Sequence, residues 1–348
     1  MKRLTFLLLA LVAGLLTPPA ASHASSYAGS KKPFPVTLVD DQGSHVTITS
    51  RPKRIITLYS AYTETVFALG LEKRLVGDAS QYAEGATGVT TAAGKPRDFR
   101  YPAEWPSRLG LDYPIRSVQL PHVEGGFGQT QFNLETMTSL RPDLVLAPYY
   151  KSQVPTFQKM KDLGFKVLFL NPSNIAGVLH DITLVGEAAG ARKQAATLVK
   201  TMKGELSTVK LRMAKVTNRP RVFYELDATN PTQPITAGPK TVIDEAIGLA
   251  HGKNIADSVT SCSGTQCYPA FSLEALVAAD PQVIVLSDAA YGTKSDDVKA
   301  RPGWSTVSAV RLNKIYAFNP DVLSRFGPRV VIGVRDLAKL LHPQAFRG

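Results

Sequence analysis

The sequence predicts an α/β protein of two doubly wound, Rossmann-like lobes joined by a long rigid helix. Three observations carry this. Short apolar strands alternate with helical stretches in two separate blocks, the rhythm of parallel, doubly wound sheets. Between the blocks, from Asn174 to Val216, runs a helical stretch with nothing strand-like in it. One phrase is also written twice, as NLETMTSLRPDLVLA (Asn133 to Ala147) and SLEALVAADPQVIVL (Ser272 to Leu286). Each copy has a Leu-Glu pair, a Pro seven residues after the Glu, and then an apolar run.

The length of 348 residues suits two domains. The division expected is a signal peptide over 1–24, an N-terminal lobe over 34–172, linker helices over 173–217 and a C-terminal lobe over 218–348. In the first segment Lys2 and Arg3 precede an apolar run, Leu4 to Leu16, too short to span a bilayer. Ser22-His23-Ala24 offers small residues to a signal peptidase, so cleavage is expected after Ala24, with an uncleaved anchor as the alternative. No Cys follows the apolar run, so no lipid anchor is expected, and no later segment is long and apolar enough to cross a membrane. The expected location is periplasmic, as an exported protein.

Lys31 to Ser50 alternates apolar and polar residues around Asp41-Gln42-Gly43, a hairpin signal. Arg54 to Leu58 reads as a strand, Thr63 to Leu69 as a helix stopped by Gly70, and Arg74 to Gly77 as a strand. Glu84 to Gly126 is rich in Gly, Pro, Arg and aromatic residues and has no period, the mark of a long functional excursion. In the first copy of the phrase Asn133 is a good N-cap, Glu135 falls in the first turn, and the helix must end before Pro142. Leu144 to Ala147 is then a buried strand, followed by a helix over Thr156 to Leu163 and a strand over Lys166 to Leu170.

Next, Ala191, Ala195, Leu198, Val199, Met202, Leu206, Val209 and Met213 recur at helical spacing. They predict one amphipathic helix over most of Ala191 to Lys215, about seven turns long, with a shorter helix before it. The rhythm resumes with a strand over Arg221 to Leu226 and a helix over Val242 to Leu249. The second copy follows, with Ser272 as N-cap, Glu274 in the first turn and a strand over Val283 to Ser287. A strand over Lys314 to Phe318 and an amphipathic helix over Arg329 to Leu341 close the chain.

A first-turn carboxylate favours the helix macrodipole by up to about 1 kcal/mol, which explains either glutamate alone. Its recurrence in both halves points beyond capping, to a shared role for Glu135 and Glu274.

The chain carries a formal charge of +12, but its Lys and Arg residues are scattered, so a nucleic-acid partner is not expected. The only cysteines, Cys262 and Cys267 in CSGTQC, read as a disulfide in an exported chain; a metal pair is the weaker reading, since no His or second Cys pair accompanies them. The histidines show no metal-ligand spacing, and there is no phosphate loop, nucleophile elbow or reactive Cys. No enzyme activity, resident metal or cofactor is therefore expected.

Ligands of open α/β sheets bind at the carboxyl ends of strands. Those ends carry Tyr59, Ser60, Tyr82, Tyr149, Tyr150, Asp227, Asp288 and Asp321. A cleft lined by tyrosines and a few carboxylates suits a large, flat, partly apolar ligand.

RIITLYSAYTETVFALGLEKRLVG, the two glutamate phrases, YPAFSLEALVAADPQVIVL and RPGWSTVSAVRLNKIYAFNPDVLSRFGPRV together resemble the helical-backbone class of periplasmic substrate-binding proteins. These serve ABC importers of cobalamin, ferric siderophores and haem. The resemblance covers nearly all of residues 34 to 344 and is nearest to cobalamin-binding members. It implies capture of a corrinoid between the lobes by a monomer, and delivery to a permease dimer at the inner membrane. It implies that Glu135 and Glu274 dock onto the two permease subunits, so that a pseudo-symmetric chain addresses a two-fold partner. Ligand contacts are implied at Tyr59, Ser60, Tyr82, Phe127, Tyr268, Asp321 and Arg325. Family members often carry Trp near Phe127 and Tyr268, and the stretch from Glu84 to Leu111 is longer than the family pattern. The alternative ligand is a ferric siderophore or haem, for which Arg97, Arg100, Arg108 and Arg325 supply positive charge. A metal-cluster oxidoreductase on a similar scaffold needs cysteines or histidines at the cleft. A free-metal binder needs convergent ligands, and His122, Asp227 and Asp321 are scattered.

Overall fold

A computed structural model describes residues 33–79, 120, 121, 123, 132–262 and 267–347. The expected signal peptide, Tyr82, Phe127, His122, the arginines at 97, 100 and 108 and the stretch from Glu84 to Leu111 lie outside the described residues.

The alternating segment forms a hairpin of β1 (Val36–Val39) and β2 (His45–Ile48), antiparallel with Val36 opposite Ile48. Asp40 fixes its turn by accepting from the backbone N–H groups of Gln42 and Ser44 at 3.0 and 2.8 Å.

Two sheets built mainly of parallel strands follow. The first contains β3 (Ile55–Thr57), β4 (Leu75–Asp78), β5 (Leu144–Pro148) and β6 (Val167–Leu170), in the order β4-β3-β5-β6. The second contains β7 (Arg221–Asp227), β8 (Ile235–Thr236), β9 (Lys253–Asn254), β10 (Val283–Leu286) and β11 (Ile315–Ala317). Here β10 lies between β7 and β11, while the other edge of β7 takes β9 in parallel and β8 antiparallel. The parallel strands therefore run β9-β7-β10-β11, the order of the first sheet repeated. The edge strands β8 and β9, two residues each, carry no sequence period and are visible only through their pairing with β7.

Among the described residues the helices are α1 (Ser60–Ala68), α2 (Leu134–Ser139), α3 (Val154–Asp162), α4 (Ile175–Ala188), α5 (Arg192–Met213), α6 (Val242–Leu249), α7 (Leu273–Ala279), α8 (Ser295–Ala300), α9 (Ser308–Arg311) and α10 (Val330–Leu341). None is long and apolar enough to cross a membrane.

The link between the sheets is α4, a sharp turn, then α5. Asn174 caps α4 by accepting from the N–H of Gly177 at 2.7 Å. Gly190, at φ 66°, supplies the left-handed residue that ends it. The helix α5 buries Ala195, Leu198, Met202, Val209 and Met213 and packs this stripe on α4 and α10. One face of each sheet joins a core shared by both: Ile55, Leu144 and Leu168 from the first sheet meet α4 and α5, and these meet Tyr224, Val285 and Val331. Opposite faces bury separate cores, around Phe157 and Phe169 in one case and around Phe223 and Trp304 in the other.

Candidate functional site

The duplicated phrase occupies the same topological place twice: α2 leads into β5 and α7 into β10, the third parallel strand of each sheet. The local physics is also duplicated. The Asn133 side chain accepts from the N–H of Thr136 at 2.9 Å, and Ser272 Oγ accepts from the N–H of Ala275 at 3.2 Å. Helices of six and seven residues are marginal alone. Each is pinned by one fully buried side chain, Met137 or Leu276, worth about 1.5–3 kcal/mol. Each ends on a residue at φ 44°, Arg141 or Asp280. Glu135 and Glu274 both remain exposed on the outer first turn.

Between the sheets lies a cavity of about 330 Å³. Tyr59, from the end of β3, and Tyr150, beyond β5, form one wall. Leu226 of β7, Ile243 of α6, Tyr268, Ser324 and Phe326 form the rest. It lies at the carboxyl ends of the strands, where open sheets hold ligands. Tyr59 Oη donates to the carbonyl of Ser324 at 3.3 Å, linking the halves across the cavity. Its ring meets Tyr62 edge to face at 5.4 Å between centroids. Burial first, then the neighbouring Tyr150, raises the Tyr59 phenol well above the usual range. Burial does the same at Tyr268, with Tyr59 and Tyr150 adding to it. Both are therefore neutral hydrogen-bond donors at any physiological pH.

Of the expected ligand residues within the described part, Tyr59 and Tyr268 line this cavity together. The others do not line it. Tyr149 turns away, stacking on Phe157 at 5.9 Å and meeting Phe169 edge-on at 5.5 Å; its neighbour Tyr150 faces the cavity instead. Ser60 is buried in the first turn of α1. Asp227 is exposed and accepts from the N–H of Thr229 at 2.6 Å, closing a turn.

Asp288 is buried, accepts from Thr293 Oγ1 at 3.0 Å, and lies against Glu225. Glu225 takes a bidentate pair from Arg301 at 2.6 and 2.8 Å, and the Arg301 guanidinium lies 4.7 Å from the Trp304 ring centre. Burial pushes the Glu225 carboxyl up to about 7 against the pull of Arg301, with Asp288 adding to the rise. Strand-end position alone cannot reveal this closed network, because Arg301 arrives from another element.

Asp321 and Arg325 do not line the cavity; they pair with each other at 3.2 Å and are both largely buried. Ser324 and Phe326, on either side of Arg325, are the residues that reach the wall. Burial and the adjacent Arg329 lower the Arg325 guanidinium to about 9. Arg329 in turn joins the halves: its N–H donates to Glu64 Oε1 at 3.1 Å and its guanidinium pairs with Glu64 Oε2 at 3.0 Å. Glu64 is 1% exposed and Arg329 4%. The sequence gives no sign of this pair, whose members lie on elements far apart in the chain.

Cys262 and Cys267 form a disulfide with a Cα–Cα separation of 5.2 Å. Among the described residues no group of three or more His, Cys, Asp or Glu side chains is placed to hold a metal ion.

The chain is similar to an ABC transporter substrate-binding lipoprotein of Bacillus subtilis, YvrC, at 30% identity over 94% of this chain and 92% of the relative. It is similar to a cobalamin-binding protein of Halobacterium salinarum at 29% identity, covering 95% of this chain and 80% of that one. Among solved structures it is similar to the periplasmic haem-binding protein BhuT in complex with two haems, with a TM-score of 0.65 at 26% identity, over 85% of this chain and 100% of that one. A family model described as periplasmic binding protein matches residues 55–322, which takes in both sheets, the linking helices and both glutamate turns. The chain belongs to the periplasmic binding protein family, a substrate-binding protein of transport rather than an enzyme.

Proposed function

We propose that this chain is the exported substrate-binding component of an ABC importer, capturing cobalamin or a related corrinoid between its lobes and delivering it to a permease dimer. Residues 34–172 and 218–348 act as the lobes, residues 173–217 as the strut between them, and the working unit is a monomer. The observation that carries the ligand class is the cavity wall. Tyr59, Tyr150 and Tyr268 converge there from both sheets beside Leu226, Ile243 and Phe326. Aromatic faces with neutral donor tips suit a large ring whose rim offers uncharged acceptors, as the amide-bearing edge of a corrinoid does. The relative from Halobacterium salinarum supports the same ligand.

Glu135 and Glu274 are the permease contacts in this reading. Both are exposed, both stand on a short helix held by a capped first turn, and both precede the same strand of their sheet.

A second reading is a haem or ferric-siderophore binder. The likeness to BhuT favours it. Anionic ligands of that kind call for a cation at the wall; among the described residues, Arg325 is instead buried against Asp321. The visible spectrum of the protein purified from a cell that makes it separates the readings. Corrin bands support the first, and a Soret band or a ferric-chelate charge-transfer band supports the second.

A further inference from the structure

We propose that the Cys262–Cys267 disulfide is a positioning device for the ligand cavity, holding the ring of Tyr268 in the wall. The proposal rests on the reading of that cavity as the ligand site.

Tyr268 lies next to a buried anchor. Cys267 is 1% exposed, and a Cβ placed on Gly238 would collide with Cys267 Sγ, so the sulfur fills the space of a missing side chain. The backbone on either side of Tyr268 is tied to the same partner segment. The N–H of Gly238 donates to the carbonyl of Cys267 at 2.8 Å, and the N–H of Thr236 donates to that of Pro269 at 3.1 Å. The ladder continues as the N–H of Phe271 donates to the carbonyl of Pro234 at 2.8 Å and that of Leu273 to Thr232 at 2.9 Å. Tyr268 is thus set at the start of an extended run that is well fixed on its far side. On the near side Cys262, which follows the exposed Thr260 and Ser261, is bonded to the Cys267 sulfur, a covalent tie beside the Gly238 hydrogen bond.

Global stabilisation is a poor explanation for the bond. The cysteines are five residues apart, and loop-closure entropy grows with loop length, so a short loop returns little. Its location one residue from a cavity-lining aromatic is specific.

The chain has only two cysteines, so reduction with a phosphine alters this bond alone. Cys262→Ser breaks the bond at its partly exposed end and leaves the buried sulfur of Cys267 in place. The first measurement is ligand-free: nitration by tetranitromethane, mapped by peptide mass, with free thiols first capped as S-methyl mixed disulfides because the reagent oxidises them. Tyr268 is expected to resist nitration in the oxidised protein and to react several-fold faster after reduction or in Cys262→Ser. Tyr316, 37% exposed, is the internal control and should not change. The second measurement is cyanocobalamin affinity. Reduction should weaken it about tenfold, roughly 1.4 kcal/mol, in the wild type and leave it unchanged in Tyr268→Ala. Equal nitration of Tyr268 in both redox states overturns the proposal, as does an equal loss of affinity in the Tyr268→Ala background. If the oxidised protein binds no cyanocobalamin, the corrinoid reading falls and nitration alone decides the role of the disulfide.

Discussion

Arg54 and Arg221 hold the same place in the two halves of the molecule. Arg54 Nε donates to the carbonyl of Leu140 at 2.7 Å, and Arg221 Nε donates to that of Ala279 at 3.0 Å. Each arginine leads its sheet's first strand, and each carbonyl ends the short glutamate helix. The residue after each proline completes the match. Asp143 accepts from the N–H of Arg54 at 2.9 Å, and the side chain of Gln282 accepts from that of Arg221 at 3.1 Å. The repeat is thus a duplicated clamp that sets Glu135 and Glu274 at fixed heights on the two sheets.

That rigidity gives the first prediction. Glu135→Ala with Glu274→Ala abolishes uptake in proteoliposomes that contain the permease, while ligand affinity measured by calorimetry stays unchanged. Each single change leaves partial uptake, since the other half still anchors. Normal transport by the double variant, or loss of ligand binding, removes the docking role.

The second concerns adjacent tyrosines with opposite duties. Tyr150→Ala removes a cavity ring and weakens ligand binding about tenfold, with little effect on unfolding. Tyr149→Ala breaks the stack on Phe157 and costs ~2–3 kcal/mol of stability while leaving affinity intact. Denaturant melts and calorimetry on both variants check the assignment; exchanged phenotypes contradict it.

The third concerns the buried pair between the halves. Arg329→Met leaves the Glu64 carboxylate without its partner and costs about 3–5 kcal/mol. Replacing both by apolar residues, Glu64→Leu with Arg329→Met, recovers much of that loss. Urea unfolding measures both, and equal stability for the single and double variants counts against the pair.

The fourth is a pH dependence. Asp181 of α4 is buried beside Asp41, with Tyr62 near, and burial followed by the Asp41 charge pushes its carboxyl from 3.8 up to about 9. The folded state keeps a proton that the unfolded chain releases near pH 3.8. The stabilising contribution is therefore full below that pH and is lost as pH rises toward 9, by at most about 1.4 kcal/mol per pH unit. Asp181→Asn mimics the protonated side chain and flattens the stability profile across this window. An unchanged slope in the variant sinks the assignment.

Much of the fold was legible because its signals are local. The helix Val242–Leu249 matches the sequence reading residue for residue, since Thr241 caps it and the apolar spacing ends with it. The long stripe of apolar residues ending at Met213 showed a linking helix over most of Ala191 to Lys215, and the helix runs from Arg192 to Met213. Other features were not legible because their partners are distant. Asp288 sits at a strand end like a ligand residue but belongs to the Glu225–Arg301 network. Tyr149 and Tyr150 could not be ordered by strand alternation, because β5 has already ended at Pro148. Ser324 and Phe326 line the cavity from an irregular segment on either side of Arg325, where no strand or helix period marks which side chain faces inward.

The corrinoid reading meets its most direct test in a calorimetric titration of the oxidised protein with cyanocobalamin, run beside haemin and a ferric hydroxamate. The expected result is one tightly held cyanocobalamin per chain, weakened about tenfold by Tyr150→Ala, with little heat from the other two. No heat from cyanocobalamin, together with tight binding of haemin or the ferric chelate, contradicts it.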